Sequence, residues 1–160
     1  MPKVILGNAA LRDGGYAALR SQRVAALVNP TAVYADTLEH LVDAMHRELP
    51  AAANASLLAV LSPEHGFRGD HQAEEGDSAY VDPATGLPVY PAYSLPTANI
   101  TDVLRAAAVD AVVVDMQDAG VRLYTFIWTM HKVLAAAAAA GLRVIMPRPS
   151  MSLETERDTS

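Results

Sequence analysis

Apolar positions along this chain come in two arrangements. Short, nearly continuous runs stand at residues 23–29 (RVAALVN), 57–61 (LLAVL), 110–115 (DAVVVD) and 143–146 (RVIM). Runs of that length without alternation suit strands covered on both faces. Between them the period changes to that of a helix. Leu38, Leu41, Val42, Met45 and Leu49 share one helical face, with Asp36 as the expected N-cap, Glu39 as its capping-box partner and Pro50 as the stop. Residues 101–107 predict a short helix and residues 122–140 a long one, ended by Gly141.

Two stretches break this rhythm. Residues 62–78 carry Pro63, Gly66, Gly69 and Gly76 among charged side chains, which predicts a long loop of the kind that carries function. Glu74, Glu75 and Asp77 within it are expected to form a solvated face. Asp82-Pro83-Ala84-Thr85-Gly86 is turn chemistry, and residues 87–93, with two prolines, predict an edge strand or an extended arm. Strands alternating with helices imply an α/β fold, a doubly wound (Rossmann-like) mostly parallel sheet with helices on both faces. Residues 1–149 are assigned to that domain and residues 150–160 to a polar tail expected to be disordered.

Composition narrows the function classes. The chain has 160 residues, one domain's worth, with 51% hydrophobic and 19% charged residues, which is globular rather than disordered. A net charge of −6 argues against nucleic acid, whose phosphates require a Lys/Arg surface, and equally against an anionic membrane. The absence of cysteine removes disulfides, thiolate metal sites and a Cys nucleophile. The first residues hold too short an apolar run for a signal segment, and residues 123–141 are interrupted by His131 and Lys132. The expectation is a cytoplasmic protein with no membrane span.

In a doubly wound sheet, ligands bind beyond the carboxyl ends of the strands. The residues following the four runs are Asn29-Pro30-Thr31, then 62–70 (SPEHGFRGD), then 115–122 (DMQDAGVR), then Pro147-Arg148-Pro149. Asn29, Glu64, His65, Arg68, Asp115, Gln117, Asp118 and Arg122 are therefore expected in one crevice. Two carboxylates there suit general acid–base work on a glycosidic or similar bond. Glu64, wedged between Pro63 and His65 with Phe67 near, is expected to be desolvated enough to stay protonated as an acid. Each of the other residues also has a structural reading: Asp115 as a loop brace, Arg122 as an ion-pair partner of Asp118, His65 as a donor to a loop carbonyl. His65, Asp70 and His71 match no strong metal motif, and no glycine-rich phosphate loop is present, so neither a metal nor another cofactor is expected.

Four motifs then stand in order: LVNPT at 27–31, PEHGFRG at 63–69, DPATGLPVY at 82–90 and DMQDAGVRLYT at 115–125. In these the chain resembles the NamZ-like (DUF1343) family of exo-β-N-acetylmuramidases over most of its length. The resemblance implies a Rossmann-like N-terminal domain and a glycosidase that releases N-acetylmuramic acid from the non-reducing ends of peptidoglycan fragments. It implies Glu64 as catalytic acid/base and Asp115 or Asp118 as a second carboxylate or orienting group. Asn29, His65, Arg68, Gln117, Arg122 and Tyr124 would contact sugar, acetamido or lactyl carboxylate groups. Pro147 and Ser150 stand where the family pattern has Asp and Asn, and the family's C-terminal domain is expected to be missing. A retained fold that binds sugar or serves as a scaffold without turnover, and an unrelated Rossmann-like ligand-binding module, are the alternatives. A sheet stopped early would expose an edge through which a homo-oligomer could form.

Overall fold

The computed structural model describes residues 3–72 and 78–152. Its centre is a six-stranded sheet. In chain order the strands are β2 (Arg23–Val28), β3 (Ser56–Ser62), β4 (Tyr80–Val81), β5 (Pro88–Pro91), β6 (Ala111–Asp115) and β7 (Arg143–Ile145), and their order in space is β4-β5-β3-β2-β6-β7. All pairs are parallel except β4 with β5. The chain starts in the middle at β2, builds outward through β3 to β5, then returns to the other side of β2 for β6 and β7. This is the doubly wound arrangement, and its order reverses between β2 and β6.

The four continuous apolar runs lie in β2, β3, β6 and β7; the first three are covered on both faces, but β7 is the outermost strand and stays largely exposed, with Val144 at 36%. Alternate side chains of β2 enter opposite cores: Val24, Ala26 and Val28 pack with helix α2 (Leu41–Ala53), and Ala25 and Leu27 with helices α3 (Thr97–Ala106) and α4 (Phe126–Ala140). All five are fully buried, and each large aliphatic among them contributes roughly 1.5–3 kcal/mol. A shift of register lets Leu58 stand as an extra residue in β3 opposite the Val24–Ala25 step, a bulge that keeps both faces apolar. Among the described residues no helix is long and apolar enough to cross a membrane.

Several boundaries differ from expectation. Helix α2 starts at Leu41, not after Asp36, because His40 is its cap: Nδ1 accepts the Val42 amide at 3.2 Å. Asp36 instead takes a bidentate pair from Arg12, at 3.2 and 2.7 Å, and Glu39 pairs with Arg47. Pro50 does not stop the helix. It lies in the last turn on the solvent side, and the helix runs on to Ala53, where Asn54 closes it in the left-handed region. Helix α3 begins four residues earlier than expected, at Thr97. Helix α4 begins four residues later, at Phe126. The proline-bearing segment forms β5 but is not the outermost strand, because β4 pairs along its free side.

The first residues, which show no clear pattern, form β1 (Lys3–Ile5) and helix α1 (Gly7–Asp13). β1 pairs antiparallel with β8 (Ser150–Ser152), so the start of the segment read as a polar tail is strand; residues 153–160 lie outside the described residues, as do Glu74, Glu75 and Asp77. Gly7 sits directly against the link between β7 and β8. A Cβ there would lie 2.3 Å from the carbonyl carbon and oxygen of Pro147.

Candidate active site

A crevice of about 570 Å³ opens where the strand order reverses. β2 contributes Asn29, Pro30 and Thr31 just beyond its end, and β3 contributes Glu64 and His65. The segment between β6 and α4 contributes residues 117–119 and 123–125, and α4 contributes its first residue, Phe126. Of the residues expected there, Asn29, Glu64, His65, Gln117, Asp118 and Tyr124 line one space.

The walls are tied together beneath the surface. The Asn29 amide donates to the Gln117 carbonyl at 2.8 Å, its own Oδ1 accepts from Thr31 Oγ1 at 3.0 Å, and its carbonyl pairs with His40 Nε2 at 3.2 Å. Since His40 Nδ1 accepts from Val42, its Nε2 carries the proton and donates. Burial holds this imidazole below its ordinary value, and so neutral. Asn29 is thus a buried brace as much as a lining residue.

Asp115 lies under the crevice and does not line it. Its carboxylate accepts from Asn8 Nδ2 at 3.2 Å and from Gln117 Nε2 at 2.8 Å. Burial raises this carboxyl above its ordinary value, and the two donors oppose that rise. On its other side the Gln117 Oε1 lies against Thr31 Oγ1, whose single proton it shares with Asn29 Oδ1. Asp118 is exposed at the rim, where one oxygen accepts the Gly120 amide at 2.7 Å in a local turn; the pairing with Arg122 that was the alternative reading is not formed.

Glu64 is half-buried, and its Oε2 accepts a 2.7 Å hydrogen bond from Thr125 Oγ1. The loop that carries it is tightly folded. His65 and Gly66 both adopt positive φ, at 69° and 78°, and the His71 ring and Asp70 pack where a Gly66 side chain would stand. His65 Nδ1 pairs with the His71 carbonyl at 3.3 Å, which is the structural contact weighed for it, and the ring remains exposed at the crevice. Aromatic company for Glu64 does not come from Phe67. That ring is fully buried on the α2 face, edge-on to His40. The crevice aromatics are Tyr124 and Phe126, which meet edge to face with centroids 5.8 Å apart.

Two expected residues stand elsewhere. Arg68 turns away toward α2 and the 82–86 turn. Nε and Nη2 donate to Asp82 at 2.8 Å each, and Nη1 and Nη2 to Asp43 at 3.1 and 2.7 Å. Four of its five N–H donors go to these two carboxylates, and the ion pair holds the buried Asp82 down to about 2. Arg122 is exposed on the loop between the two lining stretches and does not line the crevice itself. Asn8, Thr31 and Thr125 were not singled out from the sequence. Thr125 stands inside the last of the four motifs; Asn8 carries no signal, because its partner lies 107 positions away. Among the described residues no group of three or more His, Asp or Glu side chains is placed to hold a metal ion.

A crevice with two carboxylates, amides and hydroxyls set among Pro30, Ala119, Leu123 and two aromatics can bind the polar edges and apolar faces of a sugar, and can donate or accept a proton at Glu64. Residues 24–155 match the family model for the N-terminal region of exo-β-N-acetylmuramidase NamZ. Peptidoglycan β-N-acetylmuramidase NamZ of Bacillus subtilis (strain 168) is 33% identical over 150 residues, which is 93% of this chain and 34% of that protein. Two solved DUF1343 family proteins of Bacteroides fragilis NCTC 9343 share the fold. One has a TM-score of 0.73 and 33% identity over 90% of this chain, the other 0.63 and 26% over 91%. The chain spans about a third of the length of each of these relatives, at 34%.

Proposed function

Because this chain belongs to the exo-β-N-acetylmuramidase NamZ family, matching its N-terminal region, we propose that its crevice binds a terminal N-acetylmuramic acid unit of a peptidoglycan fragment and that Glu64 serves the cleavage of its glycosidic bond. The observation that carries this reading is the placement of Glu64. It is a half-buried carboxylate on the loop after β3, facing the point where the strand order reverses, and gripped by a hydroxyl from the opposite wall. A carboxyl group in that position can protonate the leaving oxygen and later activate water. Asp118, at the rim, is the second carboxylate. Asp115 acts through Gln117, which it orients, rather than on the sugar. Gln117, His65 and Tyr124 contact the sugar ring and acetamido group, and Asn29 holds Gln117 from below. Arg122 is the guanidinium assigned to the lactyl carboxylate, since Arg68 is committed to Asp43 and Asp82.

The test is hydrolysis of a chromogenic β-N-acetylmuramide by the chain and by Glu64→Gln. The expected result is turnover that the variant loses by roughly 100-fold or more, the contribution of a positioned acid–base group. Turnover unchanged by Glu64→Gln would remove Glu64 from the mechanism. Folded protein that binds the sugar without cleaving it would make the crevice a binding module.

A further inference from the structure

A threonine at the start of a helix ordinarily spends its side chain on that helix, accepting a hydrogen bond from an amide of the first turn. Thr125 stands at the N-cap of α4 and does not do this. Its backbone is already helical, with φ −96° and ψ −10°, and its side chain makes no capping bond. The hydroxyl is instead given to Glu64, 61 positions earlier in the chain. Local helix stability is forgone for one contact across the crevice, a departure from local consistency that points to function.

The two ends of that contact are not equally well held. Glu64 rides on a loop that bends through two successive positive-φ residues. Thr125 is fixed by α4: its carbonyl accepts from the Trp128 amide at 3.1 Å, the Thr129 amide at 3.1 Å and Thr129 Oγ1 at 3.3 Å. Thr129 is itself fully buried, as are Val133, Ala136 and Ala137 on the same helix face. One turn further on, Lys132 Nζ binds the carbonyls of Tyr93 and Leu95, tying α4 to the segment before α3. The helix is the rigid reference and the carboxylate is what it positions.

We propose that Thr125 is the positioning residue for Glu64. Its hydroxyl occupies Oε2 and holds the carboxylate in one orientation, so that Oε1 is the oxygen presented to the ligand. This rests on the reading of Glu64 as the working carboxyl group. Valine at position 125 keeps the shape and removes the donor, while serine keeps the donor.

Two measurements on the full chain separate this proposal from that reading. The first needs no turnover: the ¹³C resonance of the Glu64 carboxyl group, identified by its disappearance in Glu64→Gln. It should move in Thr125→Val and return in Thr125→Ser; a resonance that stays in place in Thr125→Val overturns the proposal. The second is hydrolysis of the chromogenic β-N-acetylmuramide. Thr125→Val should lower kcat by about tenfold or more, toward the order of 100-fold that an ångström of misplacement can cost, with KM little changed, and Thr125→Ser should recover most of it. Wild-type turnover with Thr125→Val unimpaired overturns the proposal and leaves Glu64 standing. A wild type that turns over no sugar removes the reading of Glu64, and the positioning role with it, whatever the resonance does.

Discussion

Replacing Arg68 by glutamine would strand a buried carboxylate. Asp82 is fully buried, and its two oxygens take Arg68 Nε and Nη2 as well as the Thr85 amide and hydroxyl at 3.0 and 2.6 Å. The pairing lowers the Asp82 carboxyl from an ordinary 3.8 to about 2, which at about 1.4 kcal/mol per pH unit corresponds to about 2 kcal/mol. Removing one partner of a fully buried pair costs about 3–5 kcal/mol. The Arg68 side chain is 24% exposed and that of Asp43 30%, so solvent screens the second pair and it adds only tenths. Arg68→Gln should therefore lose about 2–4 kcal/mol at pH 7, a fall in Tm of roughly 5–15 °C for a chain of this size. The sign of the pH dependence follows from a depressed carboxyl group. Its contribution is complete above the ordinary value and is lost as pH falls from about 4 toward 2. Urea unfolding followed by circular dichroism at pH 7, 5 and 3.5 should show the gap between wild type and variant intact at the first two and narrowing at the third. A loss under about 1 kcal/mol at pH 7, or a gap unchanged at pH 3.5, would refute the assignment of Arg68 to structure and return it to the crevice as a ligand.

Two further outcomes are expected. His40 must be neutral to accept the Val42 amide, and burial lowers its pKa, so this stabilisation is complete above 6.5 and lost as pH falls below it; the cap is worth about 1 kcal/mol. The stability advantage of wild type over His40→Asn should shrink between pH 7.5 and 5.5 in thermal unfolding, and an unchanged advantage would contradict a neutral His40 protonated on Nε2. Gly7→Ala tests the close approach to Pro147: helix propensity alone would favour alanine by about 1 kcal/mol, whereas the clash should make the variant less stable by about 1–3 kcal/mol and speed amide exchange in Lys3–Ile5. A neutral or stabilised variant would mean that the link after β7 yields freely.

The central sheet was legible because β2, β3 and β6 are apolar on both faces, and a continuous aliphatic run has few other uses; the run at β7 reads the same way although that strand is outermost and partly exposed. The crevice was legible for the same reason: once those strands are placed, Asn29, Glu64 and Gln117 fall at their carboxyl ends. What escaped was set by partners distant in sequence. Nothing near Asp36 says that Arg12 will claim it and leave His40 to start α2. Nothing near Arg68 says that Asp43 and Asp82 converge on it from two other elements. Residues 122–125 have helical composition, yet Thr125 turns to Glu64 and the chain before it becomes a wall of the crevice, with Leu123 87% exposed. β1 and α1 take their shape from β8 and from the β7–β8 link, so their own residues hold little of the information.

That last arrangement also sets an order of assembly. In synthesis from the N-terminus, Lys3–Ile5 is made before every other described element and its strand partner, Ser150–Ser152, after them. At about 5–20 residues per second that strand waits roughly 7–30 s for its partner. Asn8 also waits, since β6 must be made before its amide has the Asp115 carboxylate to donate to. The sheet can condense around β2, β3 and β5 in the meantime, because those contacts are nearer in sequence. The floor of the crevice is therefore closed only once β6 has been made, by an amide from α1 that precedes every strand of the central sheet.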